Sequence, residues 1–180
     1  RMVRTNKNFN GLAEHLKDRW HIYRAFLIFF YDSKILRWGF NMEEFLEKKP
    51  CYERDYNGYN ISTLVIQFMF LLRDGNVALI KECVEEIVKY KSAHLDKRHN
   101  YRSSIFIRML EIILDKEFDY EQIHEKGQTY YKKLVNTPIP SDLKQDSEVV
   151  PYQILWQHIL DILKTNKAYI HYRFYNLKAM

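Results

Sequence analysis

The sequence YNISTLVIQFMFLL at residues 59–72 is repeated in outline by YRSSIFIRMLEIIL at residues 101–114, an offset of 101 − 59 = 42 positions. Five aligned positions keep apolar side chains, and three aligned pairs are identical: Tyr59 with Tyr101, Ser62 with Ser104, and Leu72 with Leu114. A short polar break and a second amphipathic run follow each copy. Repeats of a few tens of residues are typical of stacked helix pairs. The sequence therefore predicts one helical hairpin that occurs twice.

Helix-capping residues mark where the second helix of each hairpin begins. Asn76 and Asp119 each follow a polar turn and precede an amphipathic run, and both side chains are common N-caps. Gln122, three residues after Asp119, completes a capping box. The pair Asn41 and Glu44 has the same spacing, which predicts a further short helix before the first hairpin.

The N-terminal part of the chain predicts one long helix, at about residues 11–33. Its apolar residues recur at spacings of three and four positions: Leu12, Leu16, Trp20, Tyr23, Leu27 and Phe30. This spacing is typical of one apolar stripe along a helix. Residues 25–30 are apolar on all sides. A segment of that kind is either central in the fold or in contact with a partner chain.

These patterns predict an all-α fold of stacked antiparallel helix pairs, an αα-hairpin solenoid or an irregular helical bundle of about 6–8 helices. The small numbers of glycine (5) and proline (4) agree with long helices. One helical-repeat domain is expected over residues 1–180, with hairpins at about 11–50, 59–95, 100–135 and 151–180. Residues 137–150 contain two prolines and many polar residues, which predicts a mobile linker. Because position 1 is not Met, we expect the chain to be part of a longer protein.

The paired helices resemble the tetratricopeptide family and related αα-hairpin solenoids, over about residues 59–165 with residues 12–50 as a further candidate. The tetratricopeptide consensus has a 34-residue period with Trp, Leu-Gly and Tyr in its first helix. Here the period is 42, and the first helices contain no Leu-Gly pair. The resemblance implies a superhelix with a concave groove that holds a peptide or a partner domain. It implies no individual groove residue, because the consensus does not match residue by residue.

The bulk composition is typical of a globular protein. Apolar residues make up 47% and aromatic residues 16% of the 180 positions, which is too rich for a disordered chain. The two cysteines, Cys51 and Cys83, are too few for a disulfide framework. We therefore expect reduced thiols and a cytoplasmic location. No apolar run in the sequence has the length of a membrane span, and we expect no membrane partner.

Motifs for catalysis, cofactors and metals are missing from the sequence. Its seven histidines form no HExxH motif, so we expect no metal site. Its five glycines are isolated, which excludes a Gly-rich phosphate loop. Cys83 lies within an apolar helical pattern and is interpreted as a core residue rather than a nucleophile. We expect neither a cofactor nor enzymatic activity.

The junction between the two hairpins, KYKSAHLDKRHNYR at residues 89–102, holds five basic residues, two histidines and two tyrosines against one aspartate. Basic groups beside aromatic rings bind phosphates and stack on bases, and they also bind acidic peptides. Lysine and arginine near a helix end equally serve to cap backbone carbonyls. These three roles stay open for the candidate partner-binding residues: Lys89, Lys91, Lys97, Arg98, Tyr101 and Arg102.

The predicted function is non-catalytic: a helical-repeat module that binds another protein or another copy of itself. An alternative is a nucleic-acid-binding or regulatory module that uses the 89–102 junction and the basic ends. Residues 1–24 carry six basic and two acidic residues, and residues 162–180 carry four basic and no acidic ones, within a net charge of +5. A concave surface lined by exposed tyrosine and lysine is expected for the first function. A deep pocket with converging polar groups is expected for a third class, an all-α enzyme.

Overall fold

A computed structural model describes residues 11–31, 34–47, 59–95, 100–139 and 148–166. These ranges contain helices and no strand, which confirms the predicted all-α fold. In chain order the helices are α1 (Glu14–Tyr31), α2 (Lys34–Arg37), α3 (Met42–Glu47), α4 (Tyr59–Asp74), α5 (Val77–His94), α6 (Tyr101–Asp115), α7 (Tyr120–Asn136) and α8 (Tyr152–Thr165). The second half of the hairpin predicted at residues 151–180 lies outside the described residues.

Local capping chemistry fixes the helix starts as predicted. The Asn76 side chain accepts a hydrogen bond from Leu79 N at 3.3 Å, and Asp119 accepts one from Gln122 N at 2.9 Å. A third cap of the same kind, from Asn41, begins α3. Each bond satisfies one of the amide groups that a helix start leaves without an intrahelical partner.

The chain divides into two compact units, an N-terminal unit of residues 1–48 and a C-terminal unit of residues 49–180. The N-terminal unit contains α1 to α3, and the C-terminal unit contains α4 to α8. The single domain that the sequence predicts over residues 1–180 stays a prediction.

In the N-terminal unit, α1 buries a side that differs from the predicted stripe. Ile22 and Phe26 are buried, whereas Leu16 and Leu27 of the stripe are exposed. The stripe from Leu12 to Phe30 is therefore not the buried side of this helix. The spacing of the apolar residues does not identify the buried side of α1, because residues 25–30 are apolar on all sides of the helix.

Arg24 joins α1 to the end of α2 and to the residue that follows it. It is 5% exposed, and its Nε donates a hydrogen bond to Leu36 O at 2.8 Å. Its Nη2 donates a second, short bond to Trp38 O. The guanidinium also lies over the Phe40 ring, 5.3 Å from the centroid. Because carbonyl groups at a helix end lack intrahelical donors, Arg24 caps the end of α2.

The described residues of the C-terminal unit form two helical hairpins and α8. α4 packs on α5 and α6 packs on α7, so the hairpins predicted at 59–95 and 100–135 are present. α5 also packs on α6, which joins the hairpins, and α8 packs on α7, α4 and α6. Because α8 reaches α4 as well as the preceding hairpin, the five helices form a bundle rather than an open row of hairpins.

α4 is the central helix of this unit. Every residue from 61 to 72 is buried, and Phe68 and Phe70 are fully enclosed. Burying one Phe or Leu side chain contributes roughly 1.5–3 kcal/mol, so this helix supplies much of the driving force for folding. The sequence left a central position open for residues 25–30. In the structure Ala25, Phe26 and Ile28 of that segment are buried, whereas Leu27 is exposed.

The repeat extends to the hydrogen bonds that end the first helix of each hairpin. The same two bonds recur at an offset of 117 − 75 = 42 residues: Gly75 N to Leu72 O and Asn76 N to Leu71 O after α4, and Glu117 N to Leu114 O and Phe118 N to Ile113 O after α6. This pattern is the Schellman motif, which contains a left-handed residue. Gly75 has φ 67° and Glu117 has φ 52°. Glycine adopts such angles freely, whereas they cost other residues about 1–2 kcal/mol.

We expect the protein to be more stable with glycine at position 117 than with alanine there. Glu117→Gly and Glu117→Ala remove the same side-chain contacts, but only glycine relieves the strain, so its free energy of unfolding should be higher by about 1 kcal/mol. Lys116 has φ −106° and is the matched control, where glycine should be less stable than alanine by about 0.5–1 kcal/mol. Urea unfolding of the four variants measures both differences. The same sign at both positions would contradict the assignment of strain to Glu117.

Candidate functional site

Of the six candidate residues at the hairpin junction, four are described, and they do not share one surface. Lys89 and Lys91 lie near the end of α5, where Lys89 is exposed and Lys91 is half-buried. Tyr101 and Arg102 begin α6, where Tyr101 is 50% exposed and Arg102 only 2% exposed. The remaining two lie outside the described residues: Lys97 and Arg98.

Arg102 ties the start of α6 to the end of α7 and the start of α8. Its Nε and Nη2 donate to the two carboxylate oxygens of Glu148, each at 2.8 Å. Its Nη1 donates to Leu134 O at 2.6 Å and to Thr137 O, and Nη2 also donates to Gln153 Oε1 at 2.8 Å. Both side chains of the ion pair are buried. Arginine suits this place because its five N–H donors form a planar fork that matches a carboxylate.

Glu148 has a second role at the start of α8. Its Oε1 accepts a hydrogen bond from Tyr152 N at 2.6 Å. The N-cap residue Pro151 makes no side-chain cap, so the Glu148 carboxylate replaces it at a helix end that favours negative charge. The Tyr152 hydroxyl lies 2.9 Å from Ser103 Oγ, and its ring stacks on Phe106 at 4.4 Å. The start of α8 is therefore fixed against the start of α6.

The linker predicted at residues 137–150 is anchored at both of its described ends. Thr137 and Glu148 both accept hydrogen bonds from Arg102, and the mobility of the linker stays a prediction. Residues 140–147 lie outside the described residues. Arg102 also caps carbonyls at the end of α7, whereas the capping role that the sequence left open concerned the end of α5 within the junction. Its guanidinium is committed to internal acceptors and does not contribute to the exposed basic surface.

An open groove of about 380 Å³ lies between α5 and α6, beside the junction. Val84 and Val88 of α5 and Leu114 of α6 supply its apolar side chains, which form the floor. The rim consists of four charged residues, three of them acidic: Glu85, Lys89, Glu111 and Asp115. An apolar floor inside a charged border is typical of surfaces that receive apolar side chains of another molecule.

Ion pairs hold the rim side chains in place. Lys89 Nζ lies 2.7 Å from Glu86 Oε1, and this hydrogen bond raises the pKa of Lys89 above its ordinary value. Glu111 lies 2.9 Å from Arg108 Nη1 and 3.9 Å from Lys91 Nζ. Two of the six candidate residues, Lys89 and Lys91, therefore belong to the groove or contact its rim. Such exposed pairs contribute little to stability.

The groove differs from the predicted concave surface in its aromatic content. Among the described residues that line it, none is a tyrosine. Tyr101 is exposed but does not line the groove, and Tyr90 on α5 is buried. The sequence predicts a surface lined by both tyrosine and lysine. The described residues that line the groove include Lys89 and no tyrosine.

Cys83 of α5 is a buried free thiol. Its Sγ donates a hydrogen bond to Leu64 O at 3.5 Å. Burial, with a smaller effect from the charge of Glu86, raises the pKa of this thiol to about 12. A thiol with that pKa stays protonated near neutral pH and is a poor nucleophile. Cys51 lies outside the described residues.

Two absences hold for residues 11–31, 34–47, 59–95, 100–139 and 148–166. In those ranges, no three His, Cys, Asp or Glu side chains are grouped so that they would hold a metal ion. None of the helices α1 to α8 is long and apolar enough to cross a membrane. Comparison with models of protein families, with curated proteins and with solved structures finds no match for the chain.

Proposed function

We propose that the protein is a non-catalytic helical module that binds another protein at the α5–α6 groove. The observation that carries the proposal is the apolar floor, where Val88 and Leu114 are half-buried beside the buried Val84. Covering apolar surface contributes about 25 cal/mol per Å², so a partner that covers these side chains gains free energy. Charged residues around the floor orient that partner and select it.

An amphipathic helix with Lys or Arg along its border is the partner that fits best. Helical segments bind in grooves between helices through apolar side chains at i, i+3, i+4 and i+7. Glu85 on α5 and the pair Glu111 and Asp115 on α6 give the rim an acidic majority. Arg108 lies 2.9 Å from Glu111 and 3.5 Å from Asp115, so the partner meets a rim that is mildly rather than strongly acidic.

A helical-repeat origin of the two hairpins is part of this proposal. The offset of 42 relates the sequences at 59–72 and 101–114, and it also relates Tyr59 and Tyr101, which begin α4 and α6. The turn hydrogen bonds that end α4 and α6 recur at the same offset. The tetratricopeptide-like class is the nearest resemblance, and the packing of α8 on α4 departs from an open superhelix.

A cytoplasmic location is a further part of the proposal. The chain has two cysteines in 180 residues, and Cys83 is a free thiol. Disulfides are frequent in small secreted domains and rare in the cytosol, so this cysteine usage supports a reducing compartment.

Nucleic acid fits the groove less well than protein does. DNA and RNA are bound through basic residues that contact phosphates, whereas three of the four rim residues are acidic. Arg102 is buried and paired with Glu148. The nucleic-acid alternative therefore depends on the basic ends of the chain and on Lys97 and Arg98 of the junction, which lie outside the described residues.

Selection from a displayed library of amphipathic helices tests the proposed function. The folded protein is the bait, and the library varies the apolar face and both borders among Leu, Lys, Glu and Ser. We expect the selected helices to carry Leu on one face and Lys along a border. The Kd of a synthetic copy, measured by fluorescence anisotropy, should rise at least about tenfold with Val88→Glu, because a charge on the floor excludes an apolar side chain.

Ala93→Glu is the matched control for this measurement. Ala93 is an exposed residue of α5 that does not line the groove, so the variant adds the same charge elsewhere and should change the Kd less than about twofold. Thermal unfolding verifies that both variants fold. Selected helices that bind Val88→Glu as tightly as the natural sequence would refute the groove as the site, and so would a library without any binder.

A further inference from the structure

Among the described residues of α1, an apolar stripe along one side is only partly buried. Leu16, Leu27 and Tyr31 are 38%, 40% and 73% exposed, and Trp20 and Tyr23 between them are half-buried. The same helix already buries other apolar side chains: Ile22, Ala25, Phe26 and Ile28. α1 is therefore apolar on two sides, and the stripe is the more exposed of the two. Contiguous exposed apolar side chains mark interaction surfaces more often than single ones do.

The stripe has the spacing of a seam between two helices. Leu16, Trp20, Tyr23, Leu27 and Phe30 follow one another at intervals of 4, 3, 4 and 3 residues. This alternation keeps a narrow line of side chains on one side of a helix, where they insert between the side chains of a second helix. A helix that lies on a membrane surface instead needs a broad apolar face. The geometry thus favours a partner helix over a lipid surface.

Basic side chains border the first half of the stripe on both sides, and Lys17 among them is also paired with Glu14 of the same helix, with Nζ 2.7 Å from Oε1. With Trp20 and Leu27 at the a positions of a heptad, Lys17 takes an e position and Arg19 a g position. These positions pair with opposite charges on the partner helix. Arg19 Nε donates to Tyr23 OH at 2.7 Å, and its guanidinium lies 5.3 Å from the centre of that ring. The Arg19 cation is therefore held beside the stripe rather than directed away from it.

We propose that this stripe docks an amphipathic helix of a partner protein that carries Glu or Asp along the borders of its own apolar seam. A second copy of α1 fits less well, because Lys17 and Arg19 would face basic borders of the same kind. The site is separate from the α5–α6 groove and selects the opposite border charge, so it extends the proposed function to a second partner.

The displayed helix library, with the whole chain as bait, tests this site. We expect a second group of selected helices with apolar residues at alternating intervals of 4 and 3 and with Glu along both borders. The Kd of a synthetic copy should rise at least about tenfold with Leu27→Glu and change less than about twofold with Val88→Glu. His15→Glu is the matched control, because His15 is exposed on α1 and lies outside the stripe.

A charge reversal keeps the proposal testable if Leu27→Glu fails to fold. The double change Lys17→Glu with Arg19→Glu should weaken binding of the Glu-bordered helix. It should also create binding of a copy of that helix with Lys in place of Glu along its borders. A preference that does not reverse would overturn the charge assignment. Because these readouts depend on α1 and not on Val88, failure of the groove proposal leaves them unaffected.

Two other occupants of the stripe are distinguishable outcomes. Sedimentation equilibrium that shows a dimer, with Leu27→Glu restoring the monomer, would make a second copy the occupant and overturn the proposal. Lipid is the other alternative occupant, and co-sedimentation with vesicles of phosphatidylserine and phosphatidylcholine measures its binding. Vesicle binding that Leu27→Glu abolishes would make lipid the occupant and overturn the proposal. We expect a monomer and no vesicle binding that depends on Leu27.

Discussion

Replacing Arg102 with alanine is expected to lower the free energy of unfolding by about 3–5 kcal/mol. The change leaves the carboxylate of Glu148, which is 2% exposed, without its cation. It also removes the donors to the carbonyls of Leu134 and Thr137 at the end of α7. A buried charge without a partner has lost both its water and its counter-charge, so the cost exceeds the loss of an ordinary hydrogen bond, which is about 1 kcal/mol.

Arg108→Ala is the matched control for this change. Arg108 also forms ion pairs, with Glu111 and Asp115, but its side chain is 45% exposed. Exposed ion pairs contribute about 0–1 kcal/mol, so this variant should lose less than about 1 kcal/mol in urea unfolding. An equal cost for the two arginine variants would contradict the assignment of Arg102 as the residue that joins α6, α7 and α8.

Removing both charges together separates the ion pair from the packing around it. The double variant Arg102→Met with Glu148→Leu leaves no charge without a partner, so it should be more stable than either single change. A double-mutant cycle should give a coupling of about 2 kcal/mol between the two positions. Two costs that simply add would mean that Arg102 and Glu148 act independently.

Gly127→Ala is expected to destabilise the protein by about 1–3 kcal/mol, although alanine is the better helix former. A Cβ atom at this position would lie 2.5 Å from Trp156 Cζ2 and 3.3 Å from Trp156 Cε2. Trp156 is 1% exposed, so its indole ring has little room to move away. At an open helical position the same change raises stability by about 0.5–1 kcal/mol. The sign of the effect therefore reports on the close approach of α7 and α8.

A Trp156→Phe background tests the cause of this effect, because a phenyl ring lacks the Cζ2 atom. Gly127→Ala should cost less there than in the natural sequence, with a coupling of about 1–3 kcal/mol in urea unfolding. Thr129→Ala changes an exposed residue of the same helix, and we expect an effect of about 0.5 kcal/mol or less. A stabilising Gly127→Ala, or a cost unchanged by Trp156→Phe, would contradict the packing of α7 on α8 at this point.

The helices of this fold follow from chemistry that is local in the sequence. An N-cap such as Asn76 or Asp119 accepts a hydrogen bond from an amide only three residues away. It can therefore be predicted from the nearby sequence without knowledge of the fold. The offset of 42 likewise predicts that Tyr59 and Tyr101 occupy equivalent places, and they begin α4 and α6. The all-α class could be predicted for this reason.

Contacts between distant positions could not be predicted. Arg102 and Glu148 are 46 positions apart, and in the sequence Arg102 is only one member of a basic junction. Gly127 is an isolated glycine within a helical pattern, and nothing near it in the sequence indicates Trp156. In α1, both sides of the helix are apolar, so the period of the pattern does not identify the buried side.

The candidate site was predictable only in part. Lys89 and Lys91 were candidates for partner binding, and both lie at the α5–α6 groove or in contact with its rim, whereas their role in binding stays a prediction. Val84 and Val88 belong to one apolar pattern in the sequence, yet Val84 is buried and Val88 is half-buried. The difference arises because α6 packs beside α5 without covering Val88 completely, which depends on tertiary packing and not on the residues of α5.

Methyl NMR spectra of the protein, recorded with and without the selected Lys-bordered helix, test the groove most directly. The predicted result is that the largest shift changes occur at the methyl groups of Val84, Val88 and Leu114, with small changes at Leu16 and Leu27. A bound helix that covers the floor with apolar side chains alters the surroundings of the methyl groups of these three residues, whatever the affinity of the helix for the protein. Unchanged Val88 and Leu114 signals at saturating helix would contradict the account.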